Sequence, residues 1–111
     1  MKPRKVLIID DEVDFGVLMK NFFVLRQFEV FVAHTIAEGM IILDREKPDV
    51  IFLDNQLPDG LGWGKTEFIL LNHPQATLNL ISAPDVPVTS ATGFRILHKP
   101  ALKDELPRMF K

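Results

Sequence analysis

A chain of 111 residues, 47% hydrophobic and 25% charged, is sized for one domain built on a single core. Its formal net charge of −2 offers no basic surface for nucleic acid, and the absence of cysteine excludes a disulfide framework and a thiolate metal site. No apolar run approaches the roughly 18 residues of a membrane span, and the four apolar residues after Met-Lys-Pro-Arg-Lys are too few for the apolar region of a signal peptide, so the expectation is a soluble, cytoplasmic domain over residues 1–111.

Short apolar runs alternate with helical patterns. Val6–Ile9 reads as a buried strand and ends in Asp10, Asp11 and Glu12. Residues 13–27 place Phe15, Leu18, Met19, Phe22 and Leu25 on one stripe at helical spacing; Phe22 and Phe23 are neighbours and cannot both face inward equally. A second strand, Val30–Ala33, leads into Thr35-Ile36-Ala37-Glu38, a capping box that opens a helix over 36–46. Val50–Leu53 is a third strand and runs directly into Asp54. The residues after it, Asn55-Gln56-Leu57-Pro58-Asp59-Gly60, carry turn chemistry.

A third helix is expected from about Trp63 to Asn72, stopped by His73-Pro74. The fourth strand, Leu78–Ile81, ends in Ser82. Residues 83–93 then hold two prolines, two valines and a Ser/Thr-rich tail, a poor helix, so an extended loop with at most one helical turn is expected there. The fifth strand, Ile96–Leu97, precedes Lys99-Pro100. A short last helix over about Leu102–Met109 completes the chain, Pro107 arguing against a longer one.

Strand and helix in alternation, with nearly continuous apolar strands, predict a doubly wound parallel sheet covered on both faces. Ligands of such sheets sit outside the carboxyl ends of the strands, and the polar residues singled out above all fall on that edge. Like-charged carboxylates 4 Å apart repel by about 4 kcal/mol at an effective dielectric near 20, as an upper guide. A divalent cation relieves this, and oxygen ligands without His or Cys favour Mg²⁺ over zinc. A lysine and a hydroxyl on neighbouring strands suit phosphoryl oxygens, and a carboxylate so placed can act as a nucleophile. The residue types point to metal-assisted phosphoryl chemistry.

Bland readings stand beside this one. Asp10, Asp11 and Glu12 suit the N-terminus of the first helix. Ser82 and Lys99 are, singly, ordinary strand-end residues. His34, His73 and His98 show no spacing that suggests a metal or a triad, and are read as structural.

Asp10-Asp11 after the first strand, Asp54 within Asp-Asn-Gln-Leu-Pro-Asp-Gly, Ser82-Ala83 and Lys99-Pro100, in this order, resemble the receiver domain of two-component response regulators over essentially the whole chain. The resemblance implies a flavodoxin-like five-stranded fold with strand order 2-1-3-4-5, here with the fourth helix replaced by a loop. It implies that Asp54 is the phosphoacceptor, served by a sensor histidine kinase or phosphotransfer protein. Asp11, Asp54 and the backbone carbonyl of Gln56 would bind Mg²⁺, with Asp10 acting through water. Ser82 would bond a phosphoryl oxygen in the active state, and Lys99 would pair with the phosphate or Asp54. The Lys99–Pro100 bond would be cis.

The family implies a signalling module rather than an enzyme, able to form a homodimer, with neither nucleic-acid nor membrane binding by this domain. Departures from its pattern lie on the output side. Ile96 stands where receivers carry an aromatic, with Phe94 two residues away on the same strand face, and the segment for a fourth helix is degraded. An alternative with Thr92 as the switch hydroxyl leaves only six residues before Lys99, too few for a crossover. Two other functions are weighed: an unphosphorylated interaction module, and a phosphatase resembling the haloacid dehalogenases. The latter want an acid two residues after the nucleophile, where this chain has Gln56.

Overall fold

The computed structural model describes residues 2–82 and 93–110. Its elements are β1 (Lys5–Ile9), α1 (Val13–Val24), β2 (Glu29–Ala33), α2 (Ile36–Glu46), β3 (Val50–Asp54), β4 (Gln56–Leu57), β5 (Gly60–Leu61), a 3₁₀ turn (Gly62–Lys65), α3 (Thr66–Asn72), β6 (Thr77–Ser82), β7 (Phe94–His98) and α4 (Lys99–Met109). Five strands form one parallel sheet in the order β2-β1-β3-β6-β7, which is the expected 2-1-3-4-5. All of the expected loop over residues 83–93 except Gly93, and with it the Thr92 alternative, lies outside the described residues.

The sheet divides the core in two. Leu7, Ile9, Ile51, Leu53, Leu78 and Leu80 face one way, toward Ile36 and Leu43 of α2 and Ile69 of α3. Val6, Ile8, Val50, Phe52 and Ile81 face the other, toward Met19 and Phe23 of α1 and Leu102 and Leu106 of α4. The period-2 alternation of a strand produces this split, and burial on both faces explains why these strands read as unbroken apolar runs.

Phe23 anchors the second layer. Its ring meets Phe28 and Phe110 edge-on, each at 5.0 Å, and Phe52 at 5.6 Å. Such pairs add about 0.5–1.5 kcal/mol each beyond area burial. This corrects the expected stripe of α1. Its inward face is Gly16, Met19 and Phe23, while Leu18 and Leu25 are exposed and Phe15 and Phe22 flank the core. Choosing Phe23 over Phe22 rotates the helix by one residue, and Gly16 has no side chain for a hydrophobic pattern to register.

Three further boundaries differ. The mini-hairpin β4–β5 forms where only turns were expected. The 3₁₀ turn precedes α3, so the α-helical part begins at Thr66 rather than near Trp63. Helix α4 begins at Lys99, three residues early, because Pro100 fits the first helical turn, where no intrahelical donor is needed. Pro107 lies inside it, and Phe110 N–H still bonds Leu106 C=O at 2.9 Å. No described peptide bond is cis, Lys99–Pro100 included, contrary to expectation. Among the described residues, no helix is long and apolar enough to cross a membrane.

Candidate functional site

Asp10 and Asp54 stand at the carboxyl ends of β1 and β3, adjacent strands, so their side chains meet above the sheet edge. Asp10 is fully buried and Asp54 is 5% exposed, while Asp11 lies open to solvent. One carboxylate oxygen from each of the three falls within 4.8 Å of the others. Asp10 Oδ1 accepts from Glu12 N–H at 2.9 Å, and Asp54 Oδ1 accepts from Asn55 N–H at 2.9 Å.

Lys99 reaches in from the start of α4. Its Nζ is 2.8 Å from Asp10 Oδ2, 2.8 Å from Glu12 Oε1 and 3.8 Å from Asp54 Oδ2, and it lies 4.9 Å above the Phe15 ring. Asp10 and Glu12 are therefore its nearest partners, ahead of the Asp54 that the family resemblance implied. The Asp10 contact is a close ion pair, and Lys99 is the cation that faces the buried Oδ2. Glu12 occupies the N-cap of α1 without capping it. Its side chain goes to Lys99 instead, against the helix-cap alternative for that residue.

Burial and mutual repulsion set the electrostatics. Burial above all, then the neighbouring Asp10 carboxylate, pushes Asp54 up to about 6; Lys99 and the Asn55 N–H pull the other way. Burial likewise raises Asp10, against the pull of Lys99. Burial works against the Lys99 ammonium, but Asp10, Glu12 and Asp54 outweigh it and raise its pKa.

The loop after Asp54 is folded closely around it. Gly62 N–H bonds Asn55 C=O at 2.8 Å, Trp63 N–H bonds Asn55 Oδ1 at 3.2 Å, and the Trp63 indole N–H bonds Leu53 C=O at 3.2 Å. A side chain at Gly62 would run into the Asp54 carbonyl oxygen, so the loop needs glycine there. Gln56 lies exposed at the start of β4, two residues beyond Asp54.

Asp59, read from sequence as a plain turn residue, accepts from Ile36 N–H at 2.8 Å and Ala37 N–H at 3.0 Å. It supplements the Thr35 Oγ1 cap of α2, and these bonds hold its carboxyl below the ordinary range. His34 Nδ1–H donates to Asp10 C=O at 3.1 Å. Buried Ser82 places its Oγ 3.3 Å from His98 Nδ1 on the neighbouring strand. Sequence reasoning missed Asp59 and His98 as partners. For His98 a signal existed: it stands one residue before Lys99, opposite Ser82 in the parallel register.

The model for the response regulator receiver domain matches residues 6–111. The response regulator protein PilR of Pseudomonas aeruginosa is 30% identical over 105 residues, covering 90% of this chain and 24% of PilR. Sporulation initiation phosphotransferase F of Bacillus subtilis is 30% identical over 63 residues, covering 55% of this chain and 51% of that protein. The chain thus spans a quarter to a half of the length of these relatives. Among solved structures, the BeF3-activated N-terminal receiver domain of Klebsiella pneumoniae RstA superposes with a TM-score of 0.77 at 21% identity, over 96% of this chain and 97% of that one. A Burkholderia pseudomallei response regulator with a phosphorylated aspartic acid, calcium ion and citrate gives 0.82 at 20% identity, over 97% and 66%. The fold and the family match agree: this chain belongs to the response regulator receiver domain family of two-component systems.

Proposed function

We propose that Asp54 is the phosphoacceptor of this receiver domain, taking a phosphoryl group from the phosphohistidine of a sensor histidine kinase or phosphotransfer protein in the cytoplasm. The observation that carries this is the convergence of Asp10, Asp11 and Asp54 at one strand edge with Lys99 reaching among them. In the transfer, an Asp54 carboxylate oxygen attacks phosphorus, the P–N bond breaks, and the departing imidazole nitrogen keeps the electron pair and takes a proton.

The donor set suits Mg²⁺: it is all oxygen and crowded with negative charge, one carboxylate oxygen from each of Asp10, Asp11 and Asp54 lying within 4.8 Å of the others. Asp11, Asp54 and the Gln56 carbonyl would hold the ion, with Asp10 acting through water; bound there, it supplies charge neutralisation at the phosphoryl oxygens. Lys99, 3.8 Å from Asp54 Oδ2, supplies further positive charge. Asp54, with its raised pKa, is deprotonated and nucleophilic at neutral pH, and its cost of ionisation falls when a cation arrives. Ser82 donates its hydroxyl proton to a phosphoryl oxygen in the phosphorylated state.

Incubation with Mg²⁺ and acetyl phosphate, followed by intact-mass measurement, tests this. Wild type should gain one phosphoryl group and Asp54→Asn none. An unlabelled wild type overturns the proposal in favour of an unphosphorylated interaction module. Half-buried Ile96, packed against the core where receivers carry the switch aromatic, is the observation favouring that second reading.

A further inference from the structure

On its α3 side, the ladder between β6 and the edge strand β7 carries one polar rung beside two apolar ones. In β6 and β7 the registered pairs on the α3 side of the sheet are Leu78–Phe94, Leu80–Ile96 and Ser82–His98. The first two pairs pack into the core layer shared with α2 and α3. The third ends the ladder at the functional edge, and there Ser82 Oγ meets His98 Nδ1 at 3.3 Å. Lys99 belongs to the opposite face, where it lies over Phe15 beside Asp10 and Asp54. The hydroxyl is thus held toward a ring on the α3 side, while the acids and the lysine meet on the α1 side.

A serine hydroxyl has one proton to donate. In the tautomer with the imidazole proton on Nε2, His98 Nδ1 accepts it, and that proton is then unavailable to an oxygen near Asp54. We propose that His98 is a positioning residue for Ser82: it holds the hydroxyl in a resting orientation, and a phosphoryl group on Asp54 must win the proton from it. This rests on the phosphoacceptor reading of Asp54 and adds to it the group that opposes the switch. His98 is suited to the part. It is the last residue of β7 and the N-cap residue of α4, so its backbone is fixed by strand and helix while its side chain is exposed. It also adjoins the charged cluster, since the residue after it is Lys99. Ile96, the rung below, has no polar atom with which to do this.

A hydrogen bond made only in the resting state favours that state by its net worth, so removing it should tighten binding of a phosphoryl mimic by about two- to tenfold. The test titrates beryllofluoride with Mg²⁺ into wild type, His98→Ala, His98→Asn, Ser82→Ala and the His98→Ala/Ser82→Ala double variant. Trp63, the single tryptophan, bonds the carbonyl of the residue before Asp54 and serves as the fluorescent reporter. His98→Ala should bind about two- to tenfold more tightly than wild type. His98→Asn, whose amide can still meet the serine, should stay near wild type. In the Ser82→Ala background His98→Ala should change nothing.

Equal affinities for wild type and His98→Ala overturn the inference, as does an equal shift in both serine backgrounds, which marks a structural effect only. Thermal unfolding of each variant checks folding, and His98→Leu, which keeps bulk without a ring nitrogen and should tighten binding as His98→Ala does, takes its place if the alanine variant fails. A wild type that binds beryllofluoride but ignores His98 refutes this inference alone. One that neither binds it nor is labelled by acetyl phosphate refutes the phosphoacceptor reading, and this inference with it.

Discussion

Replacing Asp54 by asparagine should stabilise the metal-free domain at neutral pH. Asp54 is 5% exposed and its carboxyl is pushed from 3.8 to about 6 by burial and by Asp10. A carboxyl raised in the folded state contributes its full stability below 3.8, and that contribution is lost as pH rises through about 6. The displacement corresponds to about 3 kcal/mol at pH 7.5, falling to about 1 kcal/mol at pH 4.5. Asparagine has the same shape and can still accept the Asn55 N–H, so little packing is lost. Lys99 keeps its nearer partners, Asp10 and Glu12, both at 2.8 Å. Urea denaturation of both proteins in chelator at the two pH values measures the difference directly. Asp10, raised in the same direction, titrates in both proteins and largely cancels. The gap should be about 3 kcal/mol at the higher pH and narrow on acidification. Saturating Mg²⁺ should also narrow it, by stabilising wild type alone; at a hundredfold excess over Kd the gain is about 2.7 kcal/mol. A variant no more stable than wild type, or a gap independent of pH, would refute the claim that Asp54 is strained by its own charge.

Lys99→Ala leaves the fully buried Asp10 without its cation and should cost about 2–4 kcal/mol at neutral pH, with the loss shrinking on acidification as Asp10 takes up a proton; urea denaturation at two pH values reads both effects. Gly62→Ala drives a methyl into the Asp54 carbonyl oxygen and should cost more than about 2 kcal/mol. Because Trp63 follows Gly62 directly, a shifted fluorescence spectrum should accompany that loss. Asp59→Ala removes the acceptor for two amides at the start of α2, so hydrogen exchange at Ile36 and Ala37 should quicken while exchange in β6 is unchanged.

The sheet and the acids were legible because one physical rule governs both. An apolar run buried on two faces can end in a carboxylate only where the strand leaves the core, so Ile9 before Asp10 and Leu53 before Asp54 marked the sheet edge directly. Lys99 was placed by the same logic. What stayed hidden depends on contacts between residues distant in the chain. Glu12 meets Lys99 across 87 positions, and Asp59 meets the start of α2 across 23. No local pattern encodes either. The face of α1 was misread for a different reason: Phe22 and Phe23 are equally hydrophobic, and only the rings of Phe28, Phe52 and Phe110 decide between them. The edge strand β7 was read too short because Arg95 and His98 are exposed there and interrupt the apolar run.

The alternation that sorts the core into two layers also sorts the site, and this bears on how a phosphoryl group would be sensed. Asp54 shares its face of β3 with Val50 and Phe52, and Lys99 sits over Phe15, so the charged cluster belongs to the α1 layer. Ser82 shares its face of β6 with Leu78 and Leu80, and His98 shares that of Phe94 and Ile96, so the hydroxyl and its ring belong to the α3 layer. Charge added at Asp54 is felt on one side of the sheet; the hydroxyl proposed to answer it rests on the other. Only at the end of a strand can a side chain pass between the layers without crossing the backbone, and Ser82 and His98 pair at the ends of β6 and β7. A serine one residue earlier would face the α1 layer permanently. Moving the hydroxyl by the paired change Ile81→Ser with Ser82→Ala should therefore leave a protein whose affinity for beryllofluoride no longer responds to His98→Ala, and a response that survives the move would show that His98 acts through something other than this rung.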